Sequence, residues 1–526
     1  MSVSKLTAPS SRKGLALLLV AALALRLAVV LIHDDYLGVD GGAYLLSRND
    51  VVNDEPTGVG FLRPPLAPGW LLVPFTSLLG DNTGYKVWSA VAATLPLVPV
   101  FLISSLFLGQ RRALLPTGFV AVDLLHAEML VTGSLPLIGF TLIGLVAWGM
   151  LRFEEFCPPL RRLWPIVVFL PFIAFVNQTS AGLALIVLPI LLLAMIGFGG
   201  GLLFPTLKAL SVVLGIAVVL AFKPVTWALC LGGLLALLAL PWYSQVTPGG
   251  TELIFPGPLI RLAGPFDHAW LQLGIALGVG FVAWKYATDH RIKAMAVVVV
   301  TLGLLGIFMS TNETLMNVFF RSRFLMAIFL YPLLGWVWYH FARSQGHRDR
   351  TGFGACQLRV PGLVRHRLLT LSVGAGVFVL ATANYAASVE RQTYYSNMIT
   401  TESEAALAST PDASGYVVQS YSMANWVAAL TKKPAANAWG IEPPPAFASE
   451  DRDVRCVLGW TSECTPSLAA QRLGVSHVLV DTRRPHYQDH GKRSYGAPDG
   501  QWDVTASAAW LDLVYAEGTT RMWRVE

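Results

Sequence analysis

Four side chains near the start of the chain have the types and spacing to do chemistry together. Asp34, Asp35 and Asp40 fall within seven residues in the stretch His33-Asp34-Asp35-Tyr36-Leu37-Gly38-Val39-Asp40-Gly41-Gly42-Ala43-Tyr44-Leu45-Leu46. Further along comes Phe61-Leu62-Arg63-Pro64-Pro65-Leu66-Ala67-Pro68-Gly69-Trp70, where two prolines fix the backbone after Arg63. Asp40 directly precedes a segment, Gly41 to Arg48, that predicts a short helix. One reading makes Asp40 an N-cap that accepts from the first helical amides. The other makes it a general base that takes a proton from an acceptor hydroxyl. Arg63 likewise has two readings. It can snorkel toward lipid headgroups, or grip a phosphate with two parallel hydrogen bonds and offset the charge of a leaving phosphate.

Such residues need elements to hold them, and composition says what these are. The chain has 526 residues, of which 54% are hydrophobic and 13% charged. Its mean hydropathy is +0.56. Soluble domains carry about 25% charged residues. The deficit is uneven: residues 14–342 are one apolar run after another, whereas 389–526 have soluble composition. The division is therefore a membrane domain over 1–388 and a small soluble domain over 389–526. A bilayer crossing takes about 20 mostly apolar residues. Candidate spans are Gly14–Ile32, then 84–108, 112–129, 131–151, 163–177, 180–198, 206–222, 225–242, 269–286, 293–309, 322–341 and 366–388.

Basic loops set the orientation. Lys5, Arg12 and Lys13 precede the first span, which runs into His33-Asp34-Asp35 instead of a small-residue cleavage site, so it reads as a retained helix with a cytosolic N-terminus. Arg111-Arg112, the stretch from Arg152 to Arg162 and the arginines from Arg343 to Arg367 read as cytosolic. That makes the chain a multi-pass cell-membrane protein whose first loop and C-terminal domain are both extracytoplasmic. Twelve spans would return the C-terminus to the cytosol, so an odd number, 11 or 13, is expected. The count is open at 163–242 and at the loop 250–265.

The net charge of +6 does not point to nucleic acid. Many of the basic residues sit in short loops between spans, and no basic patch is interleaved with aromatics. There is no internal repeat and no phosphate-cradling glycine loop of the P-loop kind.

The first-loop series resembles the GT-C glycosyltransferases, in the branch of the protein O-mannosyltransferases and the lipid A aminoarabinose transferases. The match is Asp40, Tyr44 and Arg63-Pro64-Pro65-Leu66. The resemblance implies a polytopic helical membrane fold with about 11–13 spans. It also implies transfer of a sugar from a polyprenyl phosphate on the outer face of the membrane, with Asp40 as catalytic base and Arg63 as phosphate ligand.

Other segments extend the likeness. Leu124-Leu125-His126-Ala127-Glu128 stands where the family has a second outer loop, often followed by Thr-Asp or Thr-Glu. Here Thr132-Gly133-Ser134 lacks that acid, and Glu128 is a candidate to replace it, beside His126. The alternative is a solvated loop glutamate. Gln178, in Asn177-Gln178-Thr179-Ser180, resembles a polar site facing the lipid phosphate. Pro241-Trp242-Tyr243 resembles the Pro-Trp before a large outer loop. Arg321 and Arg323, in Arg321-Ser322-Arg323-Phe324, are either phosphate ligands or interfacial anchors. Asp34, Asp35 and Asp40 could hold a divalent cation, although members of this branch often work without one.

Over 389–526 the pattern predicts a small α/β domain. Gly415–Ser420 and Val475–Asp481 read as strands, Pro466–Leu473 as a helix, and Leu511–Ala516 with Thr520–Val525 as a final strand pair. The resemblance suggests that such a domain helps to place the acceptor. Cys456 and Cys464, eight apart, would pair as a disulfide in an exported domain or stay as two thiols. His486, His490, Lys492 and Arg493 lack metal-ligand spacing and read as a solvated loop.

The functional expectation is a hexosyl or pentosyl transferase acting on a polyprenyl-phosphate-linked sugar and a lipid, glycan or protein acceptor. The alternatives are a transporter or flippase, or a non-enzymatic envelope assembly protein. A transporter predicts inverted repeats and mid-membrane polar breaks. The candidate acids lie at the outer boundary instead.

Overall fold

The structure is a computed structural model that describes residues 9–32, 35–38, 41–53, 67–122, 135–152, 164–176, 178–199, 268–310, 313–348, 397–418, 421–436, 448–458, 464–481, 488–489, 493–494 and 509–526. Helix α1 (Pro9–Leu31) is followed by a two-residue strand β1 (Tyr36–Leu37) and by α2 (Gly41–Asn53). Then come α3 (Ala67–Leu79), α4 (Asp81–Thr94), α5 (Leu97–Leu108), α6 (Gln110–Ala121), α7 (Leu135–Leu151), α8 (Trp164–Val176) and α9 (Gln178–Gly199). Helices α10 (His268–Tyr286), α11 (His290–Ser310) and α12 (Glu313–Arg348) complete the apolar part.

Most of these helices share one hydrophobic core, with members from Ala22 on α1 to Leu333 on α12. Helix α12 is the hub. It packs on α5, α6, α7 and α11, and Phe324 through Leu330 are all buried. Small residues let the backbones close in, as membrane bundles require. A Cβ on Gly144 of α7 would fall 2.7 Å from Pro99 and 3.0 Å from Ile328. The outward faces are apolar too: Leu17 and Val20 on α1 are 71% and 64% exposed, and Phe281 and Trp284 on α10 are also exposed. Such faces belong in lipid. Among the described residues, three helical stretches are long and apolar enough to cross a membrane: Lys13–Leu31, Asp81–Leu108 and Gly182–Gly199.

Several expected spans take a different form. The expected span 84–108 lies within the single stretch Asp81–Leu108, in which a turn at Leu95-Pro96 separates α4 from α5 because Pro96 has no amide to donate. The span 322–341 is the middle of α12, which is 36 residues long. Helix α3 was not expected. Pro68 sits in its first turn, where no amide donor is needed, and Pro74 lies inside it. The spans 206–222, 225–242 and 366–388 lie outside the described residues, as does the division at 388/389.

The C-terminal part opens with β2 (Asn397–Ile399), α13 (Thr401–Ala408), β3 (Tyr416–Val418) and α14 (Tyr421–Thr431). It continues with α15 (Ala448–Val457), α16 (Pro466–Leu473), β4 (His477–Asp481), β5 (Gln488–Asp489), β6 (Arg493–Ser494), β7 (Leu511–Glu517) and β8 (Thr520–Val525). A four-stranded sheet has the order β3-β4-β8-β7. Strands β3 and β4 are parallel, and the other neighbours are antiparallel. This is the small α/β unit expected from the sequence. Strand β4 is buried along its whole length, in keeping with its apolar Val478-Leu479-Val480 centre. Cys456, in α15, and Cys464, just before α16, do form a disulfide, with a Cα–Cα distance of 6.0 Å. Among the described residues no cluster of His, Cys, Asp and Glu could hold a metal ion.

Candidate active site

The described parts of the first loop, residues 35–38 and 41–53, form an interface, bounded by the bundle on one side and the C-terminal strands and helices on the other. Strand β1 pairs with β2, Tyr36 opposite Ile399. Just before it, the Asp35 carboxylate accepts from Thr401 N at 3.3 Å. Just after it, Gly38 has φ +109°, a conformation that favours glycine. The Gly38 carbonyl accepts from Gly41 N at 3.1 Å and from the indole Nε1 of Trp426 at 2.8 Å.

Helix α2 begins at Gly41, directly after Asp40, as the sequence predicts, and runs five residues beyond the expected Arg48. It packs along α14. Gly42 makes this approach possible, because a Cβ there would overlap the backbone of Asn425 and Trp426. Farther along, Asn49 donates to the Ala429 carbonyl at 3.1 Å. On the bundle side Arg48 makes an ion pair with Asp81, at the start of α4. That pair fixes the end from which α4 enters the bundle.

Aromatic rings fill the space between these elements. Trp426 is fully buried. Tyr36 and Tyr85 meet it edge-on, with centroids at 5.2 and 5.5 Å. The chain of rings continues from Tyr85 to Trp88 at 5.9 Å and from Trp88 to Tyr44 at 5.7 Å. Edge-to-face pairs add about 0.5–1.5 kcal/mol each beyond area burial. The Tyr36 hydroxyl donates to Glu404 Oε1 at 3.2 Å. Burial and the neighbouring Glu404 charge both disfavour the phenolate and push its pKa up.

Two cations in the spans also sit close under this loop. Arg26 on α1 and Lys86 on α4 are buried, on helices that pack against each other. Each stands five residues from the loop-side end of its helix, about 7–8 Å along the axis. Arg26 donates to the Ala22 carbonyl at 3.3 Å. Buried intramembrane charge is costly and is usually kept for function.

Of the residues singled out in the sequence, Asp35 and Tyr44 are placed within this interface. Gln178 opens α9, and Arg321 and Arg323 lie in the first third of α12. Ser322, between the two arginines, is buried. Asp34, Asp40, Arg63, His126 and Glu128 lie outside the described residues. Sequence reasoning missed Trp426, Tyr85, Arg26 and Lys86. One signal was there to find, charged residues inside apolar runs at Arg26 and Lys86; nothing local marks Trp426 or Tyr85.

Comparison with solved structures places this arrangement. ArnT from Cupriavidus metallidurans, in its apo state, superposes with a TM-score of 0.56 at 12% identity, covering 98% of each chain. The archaeal oligosaccharyltransferase AglB from Archaeoglobus fulgidus, in complex with an inhibitory peptide and a dolichol-phosphate, superposes with a TM-score of 0.54 at 12% identity. That match covers 90% of this chain and 70% of AglB. Both are GT-C membrane glycosyltransferases.

The chain has the GT-C fold.

No family model matches the sequence, and no curated protein matches it. The GT-C fold implied by a few first-loop residues is thus present at an identity too low for sequence comparison to detect. The superposition with ArnT covers both the bundle and the C-terminal α/β part.

Proposed function

We propose that this protein is a membrane glycosyltransferase. In this reading it takes a sugar from a polyprenyl phosphate and transfers it to an acceptor hydroxyl at the outer face of the cell membrane. The observation that carries the reading is the first loop. On a fold shared with ArnT and AglB, Gly38 and α2, which flank Asp40 in the sequence, lie between the bundle and the C-terminal α/β part. AglB, which shares the fold, is described with a dolichol-phosphate bound.

Asp40 is the general base. It accepts the proton of the acceptor hydroxyl as that oxygen attacks the anomeric carbon. The bond from that carbon to the phosphate oxygen breaks with inversion, and the polyprenyl phosphate leaves with the electron pair. Arg63 holds the leaving phosphate, with Arg321, Arg323 and Gln178 as further ligands. Arg26 and Lys86 contribute positive potential from below, strengthened by their burial. Glu128 supplies a second carboxylate, beside His126, from the second outer loop.

Residues 1–388 form the catalytic membrane domain, and 389–526 form the extracytoplasmic domain. The Cys456–Cys464 disulfide supports that side, since such bonds persist in oxidising compartments.

The test is Asp40→Asn in the full chain reconstituted in nanodiscs. The donor is the polyprenyl-phosphate-sugar lipid fraction of the source cells and the acceptor is their envelope extract. Release of polyprenyl phosphate is followed by mass spectrometry. The expected result is a rate loss of roughly 10²–10⁴-fold, the usual worth of a general base, with normal membrane insertion. A wild-type rate would overturn the assignment.

A further inference from the structure

The strongest unassigned feature is the way the C-terminal part reaches into the first loop. Trp426 lies 388 positions from Gly38 in the chain, yet its indole N–H ends on the Gly38 carbonyl at 2.8 Å. The same oxygen accepts from Gly41 N at 3.1 Å, so both of its acceptor directions are filled. Val39 and Asp40 are the two residues between Gly38 and Gly41. Whatever fixes Gly38 and Gly41 therefore limits where Asp40 can stand.

The packing around the bond is as specific as the bond itself. A Cβ on Gly41 would overlap the Trp426 ring and come within 2.9 Å of Tyr85 Cζ. A Cβ on Gly38 would come within 2.5 Å of the Tyr85 hydroxyl. The glycines are pressed between one ring from α14 and one from α4. The Trp426 ring is wedged edge-on against Tyr36 of the loop and Tyr85 of the bundle. A buried tryptophan has few rotamers and one donor, so it transmits position well.

We propose that Trp426 is a positioning residue for the transfer reaction: through its bond to the Gly38 carbonyl, the C-terminal domain fixes the turn that carries Asp40. This inference rests on the reading of Asp40 as the base. It assigns the C-terminal domain a part in building the reaction site in addition to any contact with acceptor. The physical reason is geometric, since a misplacement of about 1 Å in a catalytic group costs on the order of 10²-fold in rate.

The test uses the full chain in nanodiscs, with the donor and acceptor fractions described above. Trp426→Phe keeps an aromatic ring and removes the donor. The expected outcome is a kcat lowered about tenfold or more, with donor KM changed less than about threefold, because only alignment is lost. Hydrogen exchange at residues 38–46 should quicken, while strands 416–418 and 477–481 keep wild-type protection. A wild-type kcat overturns the proposal. So does a lowered kcat with unchanged exchange at 38–46, or a rise in KM alone.

Gly38→Ala reaches the same carbonyl from the other side, with Trp426 intact, and replaces W426F if that variant fails to fold. The same kcat and exchange pattern is expected, and a wild-type kcat for G38A overturns the proposal. D40N is run in parallel. If D40N retains wild-type rate, the reading of Asp40 fails. If D40N is inactive while W426F keeps wild-type rate, only the positioning role fails.

Discussion

Asn49 on α2 donates its side-chain amide to the carbonyl of Ala429 on α14 at 3.1 Å, across 380 positions of sequence. Together with the backbone approach at Gly42, this bond docks the C-terminal α/β part on the loop end of the bundle. The docking is close because of what α2 lacks, namely a side chain at Gly42.

Replacing Gly42 by Ala should therefore loosen the two parts. The added methyl meets backbone, which cannot turn aside as a side chain can. A stability loss of about 1–3 kcal/mol is expected from such overpacking, seen as a lower thermal midpoint and faster proteolysis of the C-terminal part. Gly182→Ala on α9 is the control. Nothing lies within 4 Å of its added Cβ, so stability should hold or rise by up to about 1 kcal/mol.

Arg63→Ala should weaken the hold on the lipid phosphate with little effect on folding. Removing a hydrogen bond to a charged group costs about 1.5–3 kcal/mol. Binding of polyprenyl phosphate alone, titrated into the nanodisc protein, should weaken by roughly 10- to 100-fold. Unchanged affinity would remove Arg63 from the phosphate site.

The Cys456–Cys464 bond closes a loop of eight-residue separation. On the chain-entropy model such a loop contributes about 2–3 kcal/mol. Cys456→Ser should lower the unfolding midpoint of the C-terminal domain accordingly. Alkylation of the denatured, unreduced protein checks the topology as well. Neither cysteine should react, whereas labelling of both would contradict an oxidising location.

The C-terminal domain should lose stability as pH falls, through two groups. Burial, with Arg524 and Lys433 nearby, pushes the His477 imidazole below its usual value. Its neutral form is favoured in the fold, so its contribution is complete above the unfolded value, about pH 6.5. That contribution declines as pH drops below this value. Hydrogen bonds from Arg472 hold the Asp453 carboxyl below the ordinary range, one of them at 2.9 Å. Its contribution is present above about pH 3.9 and is lost as pH falls through the lowered value. Thermal midpoints against pH should show both limbs. His477→Gln should remove the upper limb and Asp453→Asn the lower.

The membrane character of this chain, its α/β C-terminal part and the helix after Asp40 are all set by local pattern. An apolar run must be helical in lipid, because its amides have no other partner. A nearly continuous apolar run such as Val475–Asp481 reads as a buried strand, and β4 over His477–Asp481 is one. Asp40 and Arg63 could be singled out from the sequence because they stand in the first loop, next to a helix start and a Pro-Pro pair, and both lie outside the described residues. Other features depend on how elements pack against one another, which local pattern does not decide. The pairing of Cys456 with Cys464 was left open, and it followed from the seating of α15 against α16. Above all, nothing local marks Gly38, or Gly41 and Gly42 at the start of the predicted helix, as contact points until Trp426 and Tyr85 are brought against them. Only the tertiary structure decides that contact, since it joins backbone groups to rings from two other helices, one of them nearly 400 positions away in the chain.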